Sequence, residues 1–528
     1  MSKLFEPAAW IALIIAGIIL FANLGGFPLF DPDEPVYAET GREMLQFHDF
    51  VSPRIYGQYW YDKPPMYYWL VAASFQAIGD GEFAARLPSA ICALGCVAAV
   101  FRFGAEAFGL RGGLFSALIL ATSAEFIYLG KAAVTDMTLT FFLTMSMLSF
   151  CRREYLKFFF FAGLATVTKG PIGILFPIAA ALPALFLPGD FVVIRRSRIL
   201  LGGLIYAIVA VPWYFWMWRL HGAAFIDTFI GFHNITRFTT PEHPEGAVWW
   251  YFIPVLILGF FPWTAILVQA VWKSLFAPFS RSSVFEVSLG YSGPRLQAVL
   301  IFLNLWAAIV FIFFSISQTK LVSYIMPLYP PLALICGWYI DQICDLRRGG
   351  RLIAWPLIFT FLAAGVFAGT VAGLKVVPEL ETATLGFAGI LIVMVLLTWL
   401  WVWRRMIVRA FATIVIGITV IFVLVSYVAA PIAAPYMTAS FITADFCRLY
   451  DGSSPVYVTK FLRPGFAYYS GLPGEEIKIG GLAQAVSIPG KAYYVVRQED
   501  YNHLPESGRQ LLTVLSAQKG RLLLLKER

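Results

Sequence analysis

Long apolar runs follow one another along most of this chain, and they constrain its fold more than any other feature of the sequence. A helix needs roughly 20 apolar residues to cross the hydrocarbon core of a bilayer, and most of these runs approach that length. Charged residues make up 13% of the 528 residues, whereas a soluble domain has about a quarter. The sequence therefore predicts a polytopic α-helical membrane protein.

The runs predict about thirteen transmembrane helices. We interpret the first run as a retained membrane anchor, because no small-residue cleavage pattern accompanies it. Several runs are short or adjoin one another, notably around Lys169. The predicted spans are residues 11–23, 83–107, 114–129, 135–150, 156–169, 172–187, 199–218, 248–271, 296–316, 321–340, 352–374, 385–403 and 408–429.

Basic residues between the spans predict the orientation of the chain. Under this count, five loops rich in arginine and lysine lie on one side, and the positive-inside rule makes that side cytoplasmic. The net charge of +8 is then mainly a signal of topology, and no basic face with interleaved aromatics indicates nucleic-acid binding. The five loops contain Arg152, Arg153 and Lys157; Arg195, Arg196 and Arg198; Lys273, Arg281 and Arg295; Arg347, Arg348 and Arg351; and Arg404, Arg405 and Arg409.

The chain divides into two predicted domains. Residues 1–435 form the transmembrane domain, which includes outer loops at 25–82 and 220–246. Residues 436–528 have short apolar runs bounded by turn signals, which predicts a small α/β domain on the outer side. Within it, strands are expected at 456–458, 477–479, 493–496 and 522–525, and helices at 464–470, 482–486 and 509–516.

The first outer loop concentrates ionisable residues next to a predicted span. Asp33 and Glu34 follow the first apolar run, where a carboxylate near the bilayer is unfavourable unless it has a partner or a function. Lys63 precedes Pro64-Pro65 and an aromatic run, which would present its ammonium group rigidly at the depth of lipid phosphates. The pattern indicates a site for a polar substrate carried by a lipid. A solvated turn with helix capping is the alternative for the two acidic residues. Asp31, which precedes Pro32, is interpreted as a turn residue only.

Three further outer segments carry candidate residues. Asp136 is either an N-cap of the next helix or a functional carboxylate. Lys320 and Tyr324 are four residues apart, which predicts one shared helix face at the outer surface, although Lys320 could simply extend towards the headgroups. The histidines of the loop at 220–246 have no compact metal-binding spacing and are interpreted as solvated.

Eight motifs, in order and spacing, resemble the bacterial 4-amino-4-deoxy-L-arabinose lipid A transferases, which belong to the superfamily of the protein O-mannosyltransferases. They cover the first 330 residues well, whereas the C-terminal domain fits the family loosely. The motifs are Asp33-Glu34, Tyr37-Ala38-Glu39, Gly41-Arg42-Glu43-Met44, Asp62-Lys63-Pro64-Pro65, Ala84-Ala85-Arg86-Leu87-Pro88-Ser89, Thr135-Asp136, Thr168-Lys169-Gly170-Pro171 and Lys320-Leu321-Val322-Ser323-Tyr324.

The resemblance implies a GT-C fold in the bacterial inner membrane, with the active site and the C-terminal domain facing the periplasm. It also implies an inverting glycosyl transfer from a polyprenyl-phosphate sugar, such as undecaprenyl-phosphate aminoarabinose, to lipid A. The expected partners are this donor, lipid A or another envelope glycan or protein hydroxyl as acceptor, and membrane lipids, with the chain acting as a monomer. A transporter or flippase for lipid-linked sugars and a non-catalytic sensor are the alternatives. The transporter is disfavoured because the charges lie in outer loops and no internal repeat is present.

The resemblance also implies roles for individual residues. Asp33 and Asp136 would be catalytic, and Lys63 and Tyr324 would contact the donor phosphate. An anionic leaving group needs further positive charge, for which Arg237 and Lys320 are the candidates. The supporting residues would be Glu34, Tyr37, Asp62 and Arg86.

Two departures from the family pattern concern its chemistry. Val36 stands where relatives often have arginine. Relatives that bind zinc have a histidine in the stretch that here contains Val322 and Ser323. His243 and Asp62 remain as candidate zinc ligands, and no other cofactor is expected.

Overall fold

The computed structural model describes residues 6–187, 196–241, 248–276, 293–345 and 352–527. Each predicted span overlaps a helix or a bent pair of helices. The helices up to Met437 are α1 (Pro7–Phe21), α2 (Asp33–Gln46), α3 (Met66–Ile78), α4 (Glu82–Ala107), α5 (Leu110–Ala121), α6 (Ala124–Gly130), α7 (Thr135–Cys151), α8 (Tyr155–Lys169), α9 (Ile172–Ala184), α10 (Arg196–Phe225), α11 (Arg237–Thr239), α12 (Phe252–Gly259), α13 (Thr264–Phe276), α14 (Gly293–Ile316), α15 (Tyr329–Asp345), α16 (Ala354–Gly373), α17 (Glu381–Trp403), α18 (Ile407–Leu424) and α19 (Ala430–Met437).

The membrane part of the fold is confirmed as polytopic and helical. Among the described residues, 6 helices are long and apolar enough to cross a membrane, or up to 8 if each bent pair is one span. The bent pairs are α5 with α6, at 67°, and α12 with α13, at 109°. Other apolar helices, such as α1 and α9, are shorter. The number of about thirteen crossings, and the side that each loop occupies, stay predictions.

Several predicted positions lie outside the described residues. They are Arg195, His243, Arg281, Arg347, Arg348 and Arg351.

The first outer loop contains two helices, α2 and α3, that the sequence reading treated as loop. Both pack inward: α2 buries Tyr37 and Met44, among others, and α3 buries Tyr67. The two helices approach closely at Gly41, where a Cβ atom would lie 2.7 Å from a methyl carbon of Val71. A search for long apolar runs misses α2, because its inward face includes polar and charged residues.

The outer loop predicted at 220–246 is mostly helical in its described part, and its side of the membrane stays a prediction. Helix α10 continues to Phe225, a π-helix covers Ile226–Thr236, and α11 follows directly. Gly222 has a φ of 56° and marks a kink inside α10. The histidines of this segment that the structure describes, His221 and His233, therefore lie on helical backbone.

The C-terminal region is confirmed as a small α/β domain. Strands β1 (Arg54–Ile55) and β2 (Gln58–Tyr59) lie before it, as a hairpin in the first outer loop. The domain contains α20 (Ser440–Leu449), β3 (Val456–Thr459), α21 (Arg463–Ser470), β4 (Glu475–Ile477), α22 (Leu482–Ser487), β5 (Ala492–Arg497), α23 (Gln498–Asn502), α24 (Glu506–Arg509), β6 (Leu512–Gln518) and β7 (Arg521–Lys526). Its five-stranded sheet has the order β4-β3-β5-β7-β6, with β3 parallel to β4 and β5, and β7 antiparallel to β5 and β6. The boundary at 435/436 stays a prediction.

The helix predicted at 509–516 is wrong. This segment is mostly strand β6, which pairs with β7 along the edge of the sheet. Thr513 and Val514 are β-branched and favour extended backbone. Pairing with β7, the next strand in the chain, outweighed the local helical pattern.

A buried ion pair joins the start of α2 to α4. Arg86 donates from Nε and Nη2 to the two carboxylate oxygens of Glu34, at 2.8 and 2.7 Å, and the two side chains are only 1% and 6% exposed. The remaining Arg86 bonds go to the carbonyl oxygens of Leu24, Phe27 and Pro28, at 2.9–3.0 Å. The pair is thus fully hydrogen-bonded, as a buried charge requires.

Glu34 also fixes the segment that precedes α7. Its two oxygens accept hydrogen bonds from the backbone N–H groups of Ala133 and Phe30, at 2.7 and 2.8 Å. One carboxylate therefore connects α2, α4, the connection from α1 and the entry to α7. Glu34 and Arg86 act as structural supports.

We expect Arg86→Met to lower the free energy of unfolding by about 3–5 kcal/mol, because Glu34 would be left as an uncompensated buried charge. Denaturation of the purified protein in detergent measures the change. Arg102→Met is the matched control: its ion pair with Glu106 is partly exposed and is worth about 1 kcal/mol or less. Equal losses in the two variants would contradict the structural role of Glu34–Arg86.

Candidate functional site

A cavity rich in positive charge lies where the first outer loop meets α8, α14 and the π-helix. Its polar lining includes Lys63, Lys169, His233 and Arg237, together with the carboxylate of Asp62. The excess of cationic groups gives the cavity the character of an anion-binding site. The rest of its lining is Ile172, Phe229, Asn234, Phe238, Phe313, Phe314, Ser317, Thr319 and Tyr324.

Asp62 is surrounded by the basic side chains of the cavity. Its Oδ1 lies 2.9 Å from Nζ of Lys63, 2.8 Å from Nδ1 of His233 and 3.7 Å from Nη1 of Arg237. Burial by itself would raise the pKa of Asp62, but Lys63 and His233 outweigh it and hold that pKa well below its usual range. Asp62 therefore stays ionised and orders the cationic groups around it.

Lys169 and Asp136 form a second ion pair at the cavity. Lys169 lies at the C-terminal end of α8 and Asp136 in the first turn of α7, and Nζ is 2.5 Å from Oδ1. The same ammonium group lies 4.7 Å from the ring centroid of Tyr324, in cation–π geometry. The N-cap position of α7 is Val134 and not Asp136, so the capping interpretation is not supported.

Asp33 is the first residue of α2, and part of its side chain is exposed to solvent. Partial burial raises the pKa of its carboxyl group, the charges of Asp136 and Asp62 raise it further, and Lys63 lowers it. Asp33 does not line the cavity, but its carboxyl group is near enough to Asp136, Asp62 and Lys63 for their charges to act on it. Of the other expected residues, Lys63, Asp62, Arg237 and Tyr324 line the cavity, and Asp136 is bound to Lys169 of its lining.

Lys320 is not part of this cavity. Its side chain is buried, and Nζ donates to the carbonyl oxygen of Ser317 at 2.5 Å. The predicted shared helix face is wrong, because Lys320 precedes a 3₁₀ helix, Val322–Leu328, that contains Tyr324 and Pro327. Tyr324 does line the cavity.

Two basic side chains of the site were not singled out from the sequence. Lys169 was noted only inside a motif, although a lysine at the end of an apolar run, beside Gly170-Pro171, is itself a signal. His233 was interpreted as solvated, but it is paired with Asp62. Tyr37 is buried behind the site, with its ring centroid 5.3 and 5.7 Å from those of Tyr67 and Tyr68.

The surroundings of Asp62 do not fit zinc. The carboxylate faces Lys63, Arg237 and His233, and the ammonium and guanidinium groups would repel a metal cation. Across the described residues, no group of three or more His, Cys, Asp or Glu side chains is arranged to hold a metal. The other expected ligand, His243, lies outside that part of the chain.

The sequence matches proteins that transfer sugars from lipid carriers. Residues 62–216 match the family model described as dolichyl-phosphate-mannose-protein mannosyltransferase. The chain is 29% identical over 343 residues to an undecaprenyl phosphate-alpha-4-amino-4-deoxy-L-arabinose arabinosyl transferase of Aeromonas hydrophila. The aligned region covers 61% of this chain and 58% of the relative. The enzyme of the same name from Pseudomonas aeruginosa is 29% identical over 377 residues, with 67% and 64% covered.

The chain resembles this family. The resemblance stated from its motifs is confirmed, over a region that spans 58% of the length of the Aeromonas relative and 64% of that of the Pseudomonas relative.

Solved structures show the same fold. The crystal structure of ArnT from Cupriavidus metallidurans bound to undecaprenyl phosphate has a TM-score of 0.74 and 20% identity, and the match covers 98% of each chain. The archaeal oligosaccharyltransferase AglB from Archaeoglobus fulgidus has a TM-score of 0.54 and 11% identity, covering 93% of this chain and 69% of that one. The predicted GT-C fold is confirmed.

We expect the carboxyl group of Asp33 to titrate above the usual aspartate value of about 3.9. A carbodiimide reacts with the protonated form, so labelling of Asp33 should fall as pH rises through this raised pKa. Asp136→Asn removes a negative neighbour and should shift the midpoint to lower pH. Mass spectrometry of the labelled peptide measures the shift.

Asp445→Asn, in the C-terminal domain, is the control and should leave the Asp33 midpoint unchanged. An unchanged midpoint in Asp136→Asn as well would show that Asp136 does not act on Asp33.

Proposed function

We propose that this protein is an inverting glycosyltransferase that moves a sugar from a polyprenyl-phosphate donor to an acceptor in the bacterial envelope. The observation that carries the proposal is the cationic cavity with the Asp33 carboxylate beside it. The similarity to aminoarabinose transferases supports an undecaprenyl-phosphate aminoarabinose-like donor and lipid A as the acceptor. Another envelope glycan or a protein hydroxyl is the alternative acceptor.

The donor phosphate would bind to the basic side chains of the cavity. Lys63, Lys169 and Arg237 converge there with the hydroxyl-bearing ring of Tyr324. The bond that breaks joins the anomeric carbon to a phosphate oxygen, so negative charge grows on the lipid phosphate as it leaves. Cations already in place stabilise that charge without reorganisation. Little general-acid help is then needed.

Asp33 would act on the acceptor side of the reaction. Its raised pKa makes it a better proton acceptor than an ordinary aspartate, which suits removal of a proton from an attacking hydroxyl. If the nucleophile is a phosphate of lipid A, no base is needed. Asp33 would then position the acceptor or stabilise positive charge on the sugar.

Asp136 would support both parts of the site. Its carboxylate fixes the ammonium group of Lys169 at 2.5 Å, and its negative charge raises the pKa of Asp33. We therefore assign Asp136 as a positioning residue for Lys169 and an electrostatic partner of Asp33.

The proposal includes location and assembly. The chain would lie in the inner membrane as a monomer, with residues 1–435 as the transferase domain and residues 436–528 as a periplasmic domain. The cationic cavity would face the periplasm. Basic loops on the opposite side support this orientation.

We expect Asp33→Asn to reduce transfer by roughly 10²- to 10⁴-fold while undecaprenyl phosphate binding is retained. Purified protein is incubated with undecaprenyl-phosphate aminoarabinose and lipid A, and mass spectrometry measures modified lipid A and released undecaprenyl phosphate. Asp227→Asn, an exposed residue of the π-helix outside the cavity, should retain normal turnover. Wild-type protein that leaves the donor intact would contradict the function and favour a transporter or a sensor.

We expect Lys63→Ala and Lys169→Ala each to weaken binding of undecaprenyl phosphate by roughly tenfold to a hundredfold. A charge-assisted hydrogen bond contributes about 1.5–3 kcal/mol, and each variant leaves a carboxylate, Asp62 or Asp136, facing the anion without its cation. Titration in detergent at fixed ionic strength measures the dissociation constants. Lys375→Ala, an exposed residue after α16, is the control, and affinities equal to it would exclude the cavity as the phosphate site.

A further inference from the structure

The C-terminal domain contacts the helix that begins with Asp33. Helix α21 of this domain packs on α2, and Arg42 of α2 donates from Nη1 to the carbonyl oxygen of Tyr468 at 3.0 Å. The Arg42 guanidinium also lies 5.0 Å from the ring centroid of Tyr468. Helix α2 is therefore bounded by the membrane domain on one side and by α21 on another.

Two tyrosines of α21 bond to the first outer loop and to the residues around the start of α4. The hydroxyl group of Tyr469 accepts from the N–H of Leu29 at 2.7 Å and donates to Glu82 at 3.1 Å. The hydroxyl group of Tyr468 donates to Asp80 at 2.7 Å. These bonds fix the position of α21 relative to the loop that leads into α2.

Asp31, two residues before Asp33 in the chain, also contacts the C-terminal domain and the segment that leads into it. Its N–H donates to the carbonyl oxygen of Met437 at 3.0 Å, and its Oδ2 accepts from the N–H of Ala439 at 2.5 Å. Ala439 immediately precedes α20, so the carboxyl group satisfies a backbone donor at a helix N-terminus. The local sequence, Asp31-Pro32, indicates only a turn.

Gly465 of α21 lies against the same carboxyl group. A Cβ atom at Gly465 would lie 2.3 Å from Oδ1 and 2.9 Å from Oδ2 of Asp31. Glycine is required here by close approach and not by its backbone conformation, since Gly465 is not among the residues with positive φ. Any side chain at 465 must displace the Asp31 carboxyl group.

We propose that the C-terminal domain is a positioning element for the active site, and that the contact of Asp31 with Gly465 and Ala439 fixes the start of α2 and thereby Asp33. The inference rests on the proposed function, because Asp33 is the residue whose position matters. Asp33 lies between two restraints: Glu34 is bound to Arg86 of the membrane domain, and Asp31 is bound to the C-terminal domain. Asp31 is thus a positioning residue, not a catalytic one.

The expected consequence is a loss of turnover without a loss of donor binding. A displacement of a catalytic group by about 1 Å can reduce the rate by about a hundredfold. The basic side chains of the cavity come from Lys63 and from α8, the π-helix and α11, and not from the segment that Asp31 restrains.

The test uses the full-length protein with Asp31→Ala, Gly465→Ala and the double variant. Each single variant should lower kcat by roughly tenfold or more with an unchanged dissociation constant for undecaprenyl phosphate. The pH–rate profile should also change, because a displaced Asp33 loses the surroundings that raise its pKa, and the acid limb should move to lower pH. Gly386→Ala, where a Cβ atom meets nothing within 4 Å, is the matched control and should match the wild type.

Non-additivity decides whether the two residues act through one contact. In the Asp31→Ala background, Gly465→Ala no longer meets the carboxyl group, so it should cause no further loss of kcat. Additive losses, or kcat equal to the Gly386→Ala control in both single variants, would overturn the inference. Tyr469→Phe gives a milder second probe: it removes the bonds to Leu29 and Glu82 and keeps the aromatic ring, so it should lower kcat to a smaller extent.

The failure of this inference differs from the failure of the proposed function. Wild-type protein without transfer activity refutes the function itself. Normal transfer by the wild type together with unaltered variants refutes only the positioning role.

Discussion

The buried ion pair between Glu34 and Arg86 is the interaction on which the rest of the site depends. The Glu34 carboxylate accepts two hydrogen bonds from the guanidinium and two more from the backbone. The start of α2, the start of α4 and the entry to α7 therefore share one fixed point. Such a pair is stable in an apolar interior only when every donor and acceptor is satisfied. Here the three carbonyl oxygens around Arg86 complete the set. Asp33, the residue before Glu34, carries the proposed chemistry. Asp136, in the first turn of α7, has a positioning role.

Charge in the cavity is organised in pairs. Lys63 and His233 share Asp62, and Lys169 is bound by Asp136. The carboxylates fix the cationic side chains in place before an anion arrives, so a bound phosphate meets donors that need little rearrangement. Asp33 stands apart from these pairs as an exposed carboxylate with a raised pKa. The site thus separates cations for a leaving group from a carboxylate for an acceptor.

Features that depend on local sequence were mostly predicted correctly, whereas contacts between distant segments were mostly missed. Apolar runs located the membrane helices, and the motifs named Asp62, Lys63 and Tyr324, which the structure brings to one cavity. The prediction failed at Lys320, whose ammonium group bonds to the carbonyl oxygen of Ser317 and which precedes the 3₁₀ helix that contains Tyr324. It also missed the pairing of His233 with Asp62, because the two residues meet only when a π-helix far along the chain packs on the first outer loop. The strand β6, mistaken for a helix, is an exception, because its partner β7 is the next strand in the chain.

The sequence by itself determined that this chain is a membrane protein, where its long apolar helices lie and which short motifs carry charge. Those properties depend on local hydrophobicity and spacing, which a single sequence displays directly. Only the tertiary structure decided which charges meet, since an ion pair such as Lys169–Asp136 joins residues from different helices. Only the tertiary structure showed that Asp31 contacts the C-terminal domain. The local sequence around Asp31 would be the same for a simple turn. The electrostatics of Asp33, on which the proposed reaction depends, arise from this long-range packing.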